Sequence, residues 1–387
     1  MGHQPRTLAP LVMTSLASSS LRDWRDVRVM ITGHTGFKGG WLALWLAQLG
    51  AKVAGYALAP NTEPSFHRAV DLAAALAEDE YNDVQDAVAV KAAMMRFRPE
   101  MVFHLAAQPL VRESYKNPLE TFATNVMGTA HILEAARECP SVRAVLIVTT
   151  DKCYLNEETV WGYRERDALG GNDPYSASKA CAEIVAHAYR HSFFSGSSSA
   201  LVASARAGNV IGGGDWAQDR LIPDIVRAQA SSGTVVLRYP HAIRPWQHIL
   251  EPLDGYIQIA SRLLGGERKV ADAFNLGPSD ISVATVGEVA QRFAAQLDPA
   301  IRIDVTEARQ PHEAVLLSLD STKAHRLLGW RAPLTLVQRI EATANWYRAY
   351  RDGRDMRQFS LDQLAWYQTI RSEDDSMSRF QSMRHLH

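Results

Sequence analysis

Apolar residues fall into two kinds of run along this chain of 387 residues. Short unbroken runs of β-branched and aliphatic residues predict buried strands, and longer stretches with a three-to-four-residue beat predict helices packed against them. Strands are expected at 27–32, 52–58, 101–108, 145–148, 201–210, 273–277 and 301–305. Helices are expected at 41–49, 88–96, 121–138, 174–191, 220–230, 253–264, 286–297 and 337–348. Strands alternating with helices of this length predict an α/β fold with a doubly wound parallel sheet of Rossmann type. The later segments do not continue the sheet and predict a smaller C-terminal lobe made of two insertions. On this pattern 27–211 and 246–278 form the dinucleotide-binding domain, and 212–245 and 279–352 form the lobe. Residues 353–387 are polar and are expected to drape over the surface. Residues 1–26 are expected to be a disordered tail, because the apolar stretch at 8–21 is short and interrupted by Pro10. The serine-rich tract 195–199 reads as a mobile loop.

Composition narrows the class. Apolar residues make up 47% and charged residues 21%, and the formal net charge is −1, so no global field draws the chain to nucleic acid or a membrane. No run approaches the ~18 apolar residues of a membrane span. Three scattered cysteines, Cys139, Cys153 and Cys181, give neither a disulfide framework nor metal-ligand spacing, which fits a reducing cytoplasm and no bound metal.

The strand at 27–32 runs into Gly33-His34-Thr35-Gly36-Phe37-Lys38-Gly39 and then into a helix. Glycines let the backbone approach a pyrophosphate, and the helix N-terminus favours its negative charge. An acidic residue is expected near the end of the second strand to hold the ribose, but Gly55-Tyr56-Ala57 carries none, so NAD and NADP both stay open at that site. Asp83 and Val84 follow a later strand position and suit the adenine. Leu105, Ala106, Ala107 and Gln108 end the next strand with small residues that let backbone pass close to a cofactor. His104 is expected to pack in the core.

The central stretch runs from Val145 to Lys179. An apolar strand delivers Thr150, Asp151 and Lys152 to its carboxyl end, and Asp173-Pro174 starts a helix on which Tyr175 and Lys179 share one face. A hydroxyl, a carboxylate, an amine and a phenol–ammonium pair therefore meet at one edge of the sheet. Arg220 and Arg244 suit a diphosphate, because guanidinium pairs with phosphate oxygens in a bidentate fashion. Trp161, Trp216 and Trp246 are candidates for either the wall of a nucleotide pocket or core packing.

Several motifs carry a family resemblance: the glycine turn, His104 to Arg112, Thr150-Asp151-Lys152-Cys153-Tyr154, Trp161-Gly162-Tyr163-Arg164-Glu165, Asp173 to Lys179, Arg206-Ala207-Gly208-Asn209-Val210 and Arg244-Pro245-Trp246-Gln247-His248. From about residue 27 to 350 the chain resembles the CDP-glucose 4,6-dehydratases, nucleotide-sugar enzymes of the extended short-chain dehydrogenase/reductase superfamily. The resemblance implies bound NAD, a small nucleotide-sugar substrate, a homodimer, and a role in deoxysugar and surface-polysaccharide (lipopolysaccharide O-antigen) synthesis. It implies that Thr124, within the segment carrying Asn125-x-x-Gly128-Thr129, and Arg206 contact the cofactor, and that Asn209, Arg220, Leu221, Arg244 and Asn275 contact the substrate. In the implied reaction Tyr175, assisted by Lys179 and Thr150, takes the proton of the C4 hydroxyl while hydride leaves C4. Lys152, in its neutral form, removes the C5 proton, Asp151 protonates the departing C6 hydroxyl, and hydride returns to C6. Other dehydratases, for dTDP-glucose or GDP-mannose, carry Glu where this chain has Lys152, and simple 4-epimerases lack the acid–base pair. A catalytically dead NAD-sensing protein is a further alternative, against which the retained Tyr175 and Lys179 count. The family's Asp-Ile-Arg-Asp is Asp83-Val84-Gln85-Asp86 here, which removes a basic group near the adenosine.

Overall fold

The structure is a computed structural model that describes residues 22–231, 233–278, 284–306 and 317–384, with side chains through residue 374. The apolar stretch at 8–21 lies outside the described residues, as do parts of the predicted lobe.

Seven parallel strands form the central sheet: β1 (Arg28–Thr32), β2 (Lys52–Ala57), β3 (Glu78–Tyr81), β4 (Met101–His104), β5 (Ala144–Val148), β6 (Leu201–Ala207) and β7 (Ala273–Leu276). Their spatial order is β7-β6-β5-β4-β1-β2-β3. Order reverses between β1 and β4, which opens a crevice at the carboxyl ends of those strands. β3 is the strand expected to end just before Asp83, although no apolar run marks its range. Its sequence, Glu78-Asp79-Glu80-Tyr81, is polar because an edge strand does not need the apolar run that marks a central one.

Successive residues of β1 point to opposite faces, and each face has its own core. Val29 and Ile31 join a cluster with α1 (Phe37–Gln48), while Met30 joins a second cluster with α2 (Ala87–Phe97), α3 (Gly128–Glu138) and α4 (Pro174–Ser192). The longer helices that follow are α5 (Leu221–Ala230), α6 (Leu250–Leu264), α7 (Val286–Leu297), α8 (Leu336–Arg351) and α9 (Met356–Arg384). α6 is buried along nearly its whole length on the α1 side of the sheet. The predicted strand at 301–305 forms at Arg302–Val305, but it pairs with Thr234–Leu237 outside the main sheet. There α5, α7 and α8 gather around Trp216, Phe293, Trp346 and Tyr347. Trp216 is thus a packing residue, stacked edge-on against Trp346 at 5.5 Å between ring centroids. Trp161 is 73% exposed.

Both chain ends depart from the pattern-based expectation. Trp24 is buried within the segment expected to be a tail, and its ring lies 6.5 Å from that of Phe103. The segment expected to drape over the surface is a 29-residue helix, α9. Met356, Ser360, Gln363, Leu364 and Tyr367 on its inner side are buried, and Tyr367 meets Trp45 of α1 edge-to-face at 5.8 Å. Three or four apolar residues spaced along one side suffice to dock a helix whose mean composition is polar.

Leu364→Ala removes buried methyl groups at this docking face and is expected to destabilise the whole protein by about 2–5 kcal/mol. Denaturant unfolding checks this; an unchanged midpoint would mean that α9 is dispensable.

Candidate active site

The glycine turn lies at the switch point. Gly33 has φ +77°, and a Cβ there would sit 2.7 Å from the Ala106 nitrogen, so the turn passes flush against the end of β4. Gly36 begins α1 with no side-chain cap, and the first turn of that helix carries no acidic residue. The leading amides are left for an anion, and Thr32 Oγ1 accepts from the backbone of Leu105 and Ala106 at 3.2 Å each, fixing the opposite wall. These residues fit a dinucleotide pyrophosphate. Thr35 donates to the Leu58 carbonyl at 2.9 Å, which ties the turn to the end of β2. His34 behaves differently: its side chain is fully buried and turned into the sheet, with Nε2 2.6 Å from Asp79 Oδ1. Any contact it makes with a cofactor is through its backbone.

Further along the crevice, Asp83 Oδ1 accepts from the Gln85 amide at 2.9 Å, and Val84 is buried. Gln85, standing where the resembled family has Arg, donates to Thr124 Oγ1 at 3.0 Å. A widened helical turn at Ala123–Met127 aims Asn125 inward. Its side chain bonds both backbone groups of Gln108, at 2.8 and 3.1 Å, and Ser178 Oγ at 2.8 Å. One asparagine thereby fastens the end of β4 to the helix that carries Tyr175. His104 bonds Thr32 and Thr129 in the core, as its apolar setting predicts.

The carboxyl end of β5 opens into a cavity of about 300 Å³. Its walls include Phe37, Lys38, Thr150, Asp151, Lys152, Tyr175, Asn209, Arg220, Leu221, Arg244 and Trp246. Ten of the predicted site residues therefore share one space with a tryptophan that sequence left ambiguous. Thr150 caps a short turn through the Lys152 amide at 3.4 Å and donates to Asp151 Oδ1 at 3.0 Å. Asp151 is buried and its Oδ2 has no hydrogen-bond partner, while a Cβ on Gly208 would come within 2.9 Å of that oxygen. Burial raises the Asp151 carboxyl above its usual range, against the pull of Lys152 and the Thr150 bond.

Tyr175 follows the Asp173 cap, whose Oδ1 accepts from the Ser176 amide at 2.9 Å. Burial pushes the Tyr175 phenol up to about 12, opposed by the Thr150 hydroxyl and the Arg220 guanidinium. Lys179 donates to the Val148 carbonyl at 3.2 Å, so its ammonium is anchored to the end of β5. Burial brings it down to about 8. Lys38 is brought down to about 8 as well, by burial and then by the Arg220 charge. A predicted cofactor residue, it stands in the wall of the same cavity as Asp151.

Two predicted contacts are turned away from this cavity. Arg206 is buried in an ion pair with Glu183 at 2.8 Å and donates to Tyr154 at 2.7 Å and the Glu165 carbonyl at 3.2 Å. Asn275 is also fully buried, accepting from Tyr154 at 2.7 Å and donating to the Tyr163 carbonyl at 2.7 Å. They sit on β6 and β7 with their side chains bonded inside the protein, so neither is offered to this cavity as a ligand. Conversely, Arg112, Arg238, Asp215 and Asp219 line the cavity without having been singled out as ligands. Asp219 Oδ1 accepts from Arg112 at 2.9 Å and Arg238 at 3.0 Å, and Asp215 pairs with Arg220 at 2.8 Å. No local spacing announces that group: Asp215, Asp219 and Arg220 share one loop, but Arg112 comes from the helix Val111–Lys116 and Arg238 follows the strand Thr234–Leu237.

Comparison with known proteins supplies the context. The family profile described as GDP-mannose 4,6 dehydratase matches residues 30–343. The chain is 47% identical over 337 residues to a CDP-glucose 4,6-dehydratase of Salmonella typhimurium, covering 86% of this chain and 94% of that protein. It is 26% identical to a dTDP-glucose 4,6-dehydratase of Xanthomonas campestris, over 82% of this chain and 92% of the relative. Among solved structures, the dTDP-glucose 4,6-dehydratase of Streptomyces venezuelae with NAD bound superposes with a TM-score of 0.71 at 24% identity, covering 85% of this chain and 99% of the other. A UDP-glucose 4-epimerase of Thermotoga maritima gives 0.71 at 20%, over 83% and 99%. These structural likenesses show a shared fold.

Arg206→Met leaves the Glu183 carboxylate buried and unpaired, and is expected to cost about 3–5 kcal/mol of stability. Denaturant unfolding tests that figure. A fully stable variant that has lost only NAD+ affinity would instead return Arg206 to the cofactor.

Proposed function

We propose a function for a chain that belongs to the GDP-mannose 4,6 dehydratase family: it is an NAD-dependent enzyme that converts CDP-D-glucose to CDP-4-dehydro-6-deoxy-D-glucose. The observation that carries the reading is the shared cavity, where Tyr175, Thr150, Asp151 and Lys152 face one volume and Asp151 keeps one carboxyl oxygen uncommitted.

The glycine turn, the first amides of α1 and the Leu105–Gln108 wall would hold NAD. When bound, NAD+ supplies a hydride acceptor at C4 and a donor at C6 and is left unchanged overall. Tyr175 takes the proton of the C4 hydroxyl. Thr150 and Arg220 ease that step by favouring the phenolate over a phenol that burial alone would keep protonated. A carbonyl at C4 acidifies the C5 proton, which Lys152 removes. Asp151 gives its proton to the C6 hydroxyl, which leaves as water. The raised Asp151 carboxyl suits this role, because only its acid form can donate. Arg220, Arg244 and Arg238, together with Asn209 and Leu221, suit the diphosphate and the sugar. In this reading 27–211 with 246–278 hold the dinucleotide, and 212–245 with 279–352 hold the sugar nucleotide.

We extend the proposal to assembly and setting. Leu119, Met127 and Ile184, at 84%, 51% and 56% exposure, project from the helical segments flanking the site and suit pairing with a second copy. No helix among the described residues is long and apolar enough to cross a membrane, and all three cysteines are free. A cytoplasmic homodimer acting in deoxysugar synthesis for surface polysaccharide such as O-antigen fits these features.

Purified protein with NAD+ is expected to convert CDP-glucose to a 4-keto-6-deoxy sugar, identified by mass and NMR. Turnover of dTDP-glucose or GDP-mannose with CDP-glucose inert would reassign the substrate. Lys152→Ala is expected to oxidise C4 yet incorporate no deuterium at C5 from D2O; C5 exchange at the parental rate would remove Lys152 from its role. For Asp151 the sign follows from its raised value: the acid form is lost as pH rises through it, so kcat should fall on the alkaline side. Asp151→Asn should lower kcat by about 10²–10⁴-fold and abolish that limb; a retained limb would assign it to another group.

A further inference from the structure

Away from the cavity, three side chains distant in sequence converge beside the cofactor turn. His34 Nε2 lies 2.6 Å from Asp79 Oδ1, and His67 Nε2 lies 3.2 Å from the same oxygen. His34 comes from the β1–α1 turn, Asp79 from edge strand β3, and His67 from the short helix Phe66–Ala69. All three ligand atoms lie within 4.8 Å of one another. Both histidines are buried, and the Asp79 side chain is only 16% exposed.

The surroundings are built around this group. Gly55 of β2 has no side chain because a Cβ there would fall 2.3 Å from His34 Cδ2, so the strand gives up a side chain to seat the imidazole. Tyr81 donates to the other carboxylate oxygen, Asp79 Oδ2, at 3.0 Å and places its ring about 6 Å from each imidazole, at 6.4 and 6.2 Å. A hydrogen bond from behind that orients a carboxylate is the usual support of a ligating group. On the open side lies a second cavity of about 300 Å³, lined by Ala59, Pro60, His67, Arg68, Asp71 and Tyr81, with room for an ion and its water.

We propose that His34, His67 and Asp79 form a binding site for one divalent transition-metal ion of the zinc type, with water from the adjoining cavity as the fourth ligand. Two imidazoles and one carboxylate are a common set for such an ion. Bonds of about 2.0–2.1 Å put the ligands of a tetrahedral ion somewhat over 3 Å apart. The His67–Asp79 separation already meets that, and His34 and Asp79 need to part by under an ångström. Each neutral imidazole presents Nε2 to the ion by carrying its proton on Nδ1, so the ion replaces the two hydrogen bonds to Asp79. Occupancy would clamp the glycine turn to the edge of the sheet, since His34 directly follows Gly33.

Full-length protein freed of metal with a chelator is titrated with Co2+ alone. Expected is saturable binding of one ion per chain with the visible absorption of a four-coordinate cobalt site, weakened at least about tenfold in both His67→Gln and Asp79→Asn. Circular dichroism checks that each variant is folded. Tyr81→Phe, which removes only the hydroxyl behind the carboxylate, carries the same comparison should the ligand variants misfold. Absence of saturable binding, or an affinity unchanged in the folded variants, overturns the proposal.

Discussion

One buried ion pair holds the reacting groups of this protein in relation to each other. Glu183, a turn beyond Lys179 on α4, accepts from Arg206 of β6 at 2.8 Å, from Ser204 at 2.7 Å and from Thr149 at 2.5 Å. Arg206 in turn reaches Tyr154, just past the Asp151–Cys153 turn, and Tyr154 reaches Asn275 on β7. The network thus fastens the residue before Thr150, the residue after the Asp151–Cys153 turn and the helix bearing Tyr175. A lone buried charge would be costly, but here the carboxylate has three donors and the two terminal guanidinium nitrogens have acceptors, while Arg206 Nε alone is left without a partner. Its burial also keeps water from the back of the site, and that same desolvation shifts Asp151, Lys179 and Lys38.

Desolvation acts on the groups in different directions, and chemistry is divided accordingly. A carboxyl is pushed toward its acid form, two amines toward their neutral forms, and a phenol toward its protonated form. The first suits proton donation. The last works against a phenolate, and the Thr150 hydroxyl and the Arg220 guanidinium offset it in part. Lys179, the cation that the family resemblance places beside the phenol, donates to the Val148 carbonyl.

Much of the fold was legible because central parallel strands leave unbroken apolar runs and their helices a regular beat. The range of β3 and the whole of α9 were not: one is a polar edge strand, and the other docks through a few residues spread over a polar helix. The cavity was legible where its residues lie close together in sequence, as in Thr150-Asp151-Lys152, or at a marked helix start, as with Tyr175. Arg206 and Asn275 show the converse. Their types suit ligands, but only the three-dimensional partners reveal that Glu183 and Tyr154 already occupy them. The Asp219 group and the His34–His67–Asp79 cluster were invisible for the same reason, being assembled from loops and strands with no common spacing.

The docking of α9 on α1 has a bearing on how this protein is made. Trp45 emerges from the ribosome long before its edge-to-face partner Tyr367. The helix that presents the glycine turn therefore waits, with part of its outer surface uncovered, until α9 has been made. Contacts between such remote parts of a chain form slowly, and exposed apolar surface invites association in the meantime. Nascent chains halted before α9 would be the species that a cell's chaperones meet.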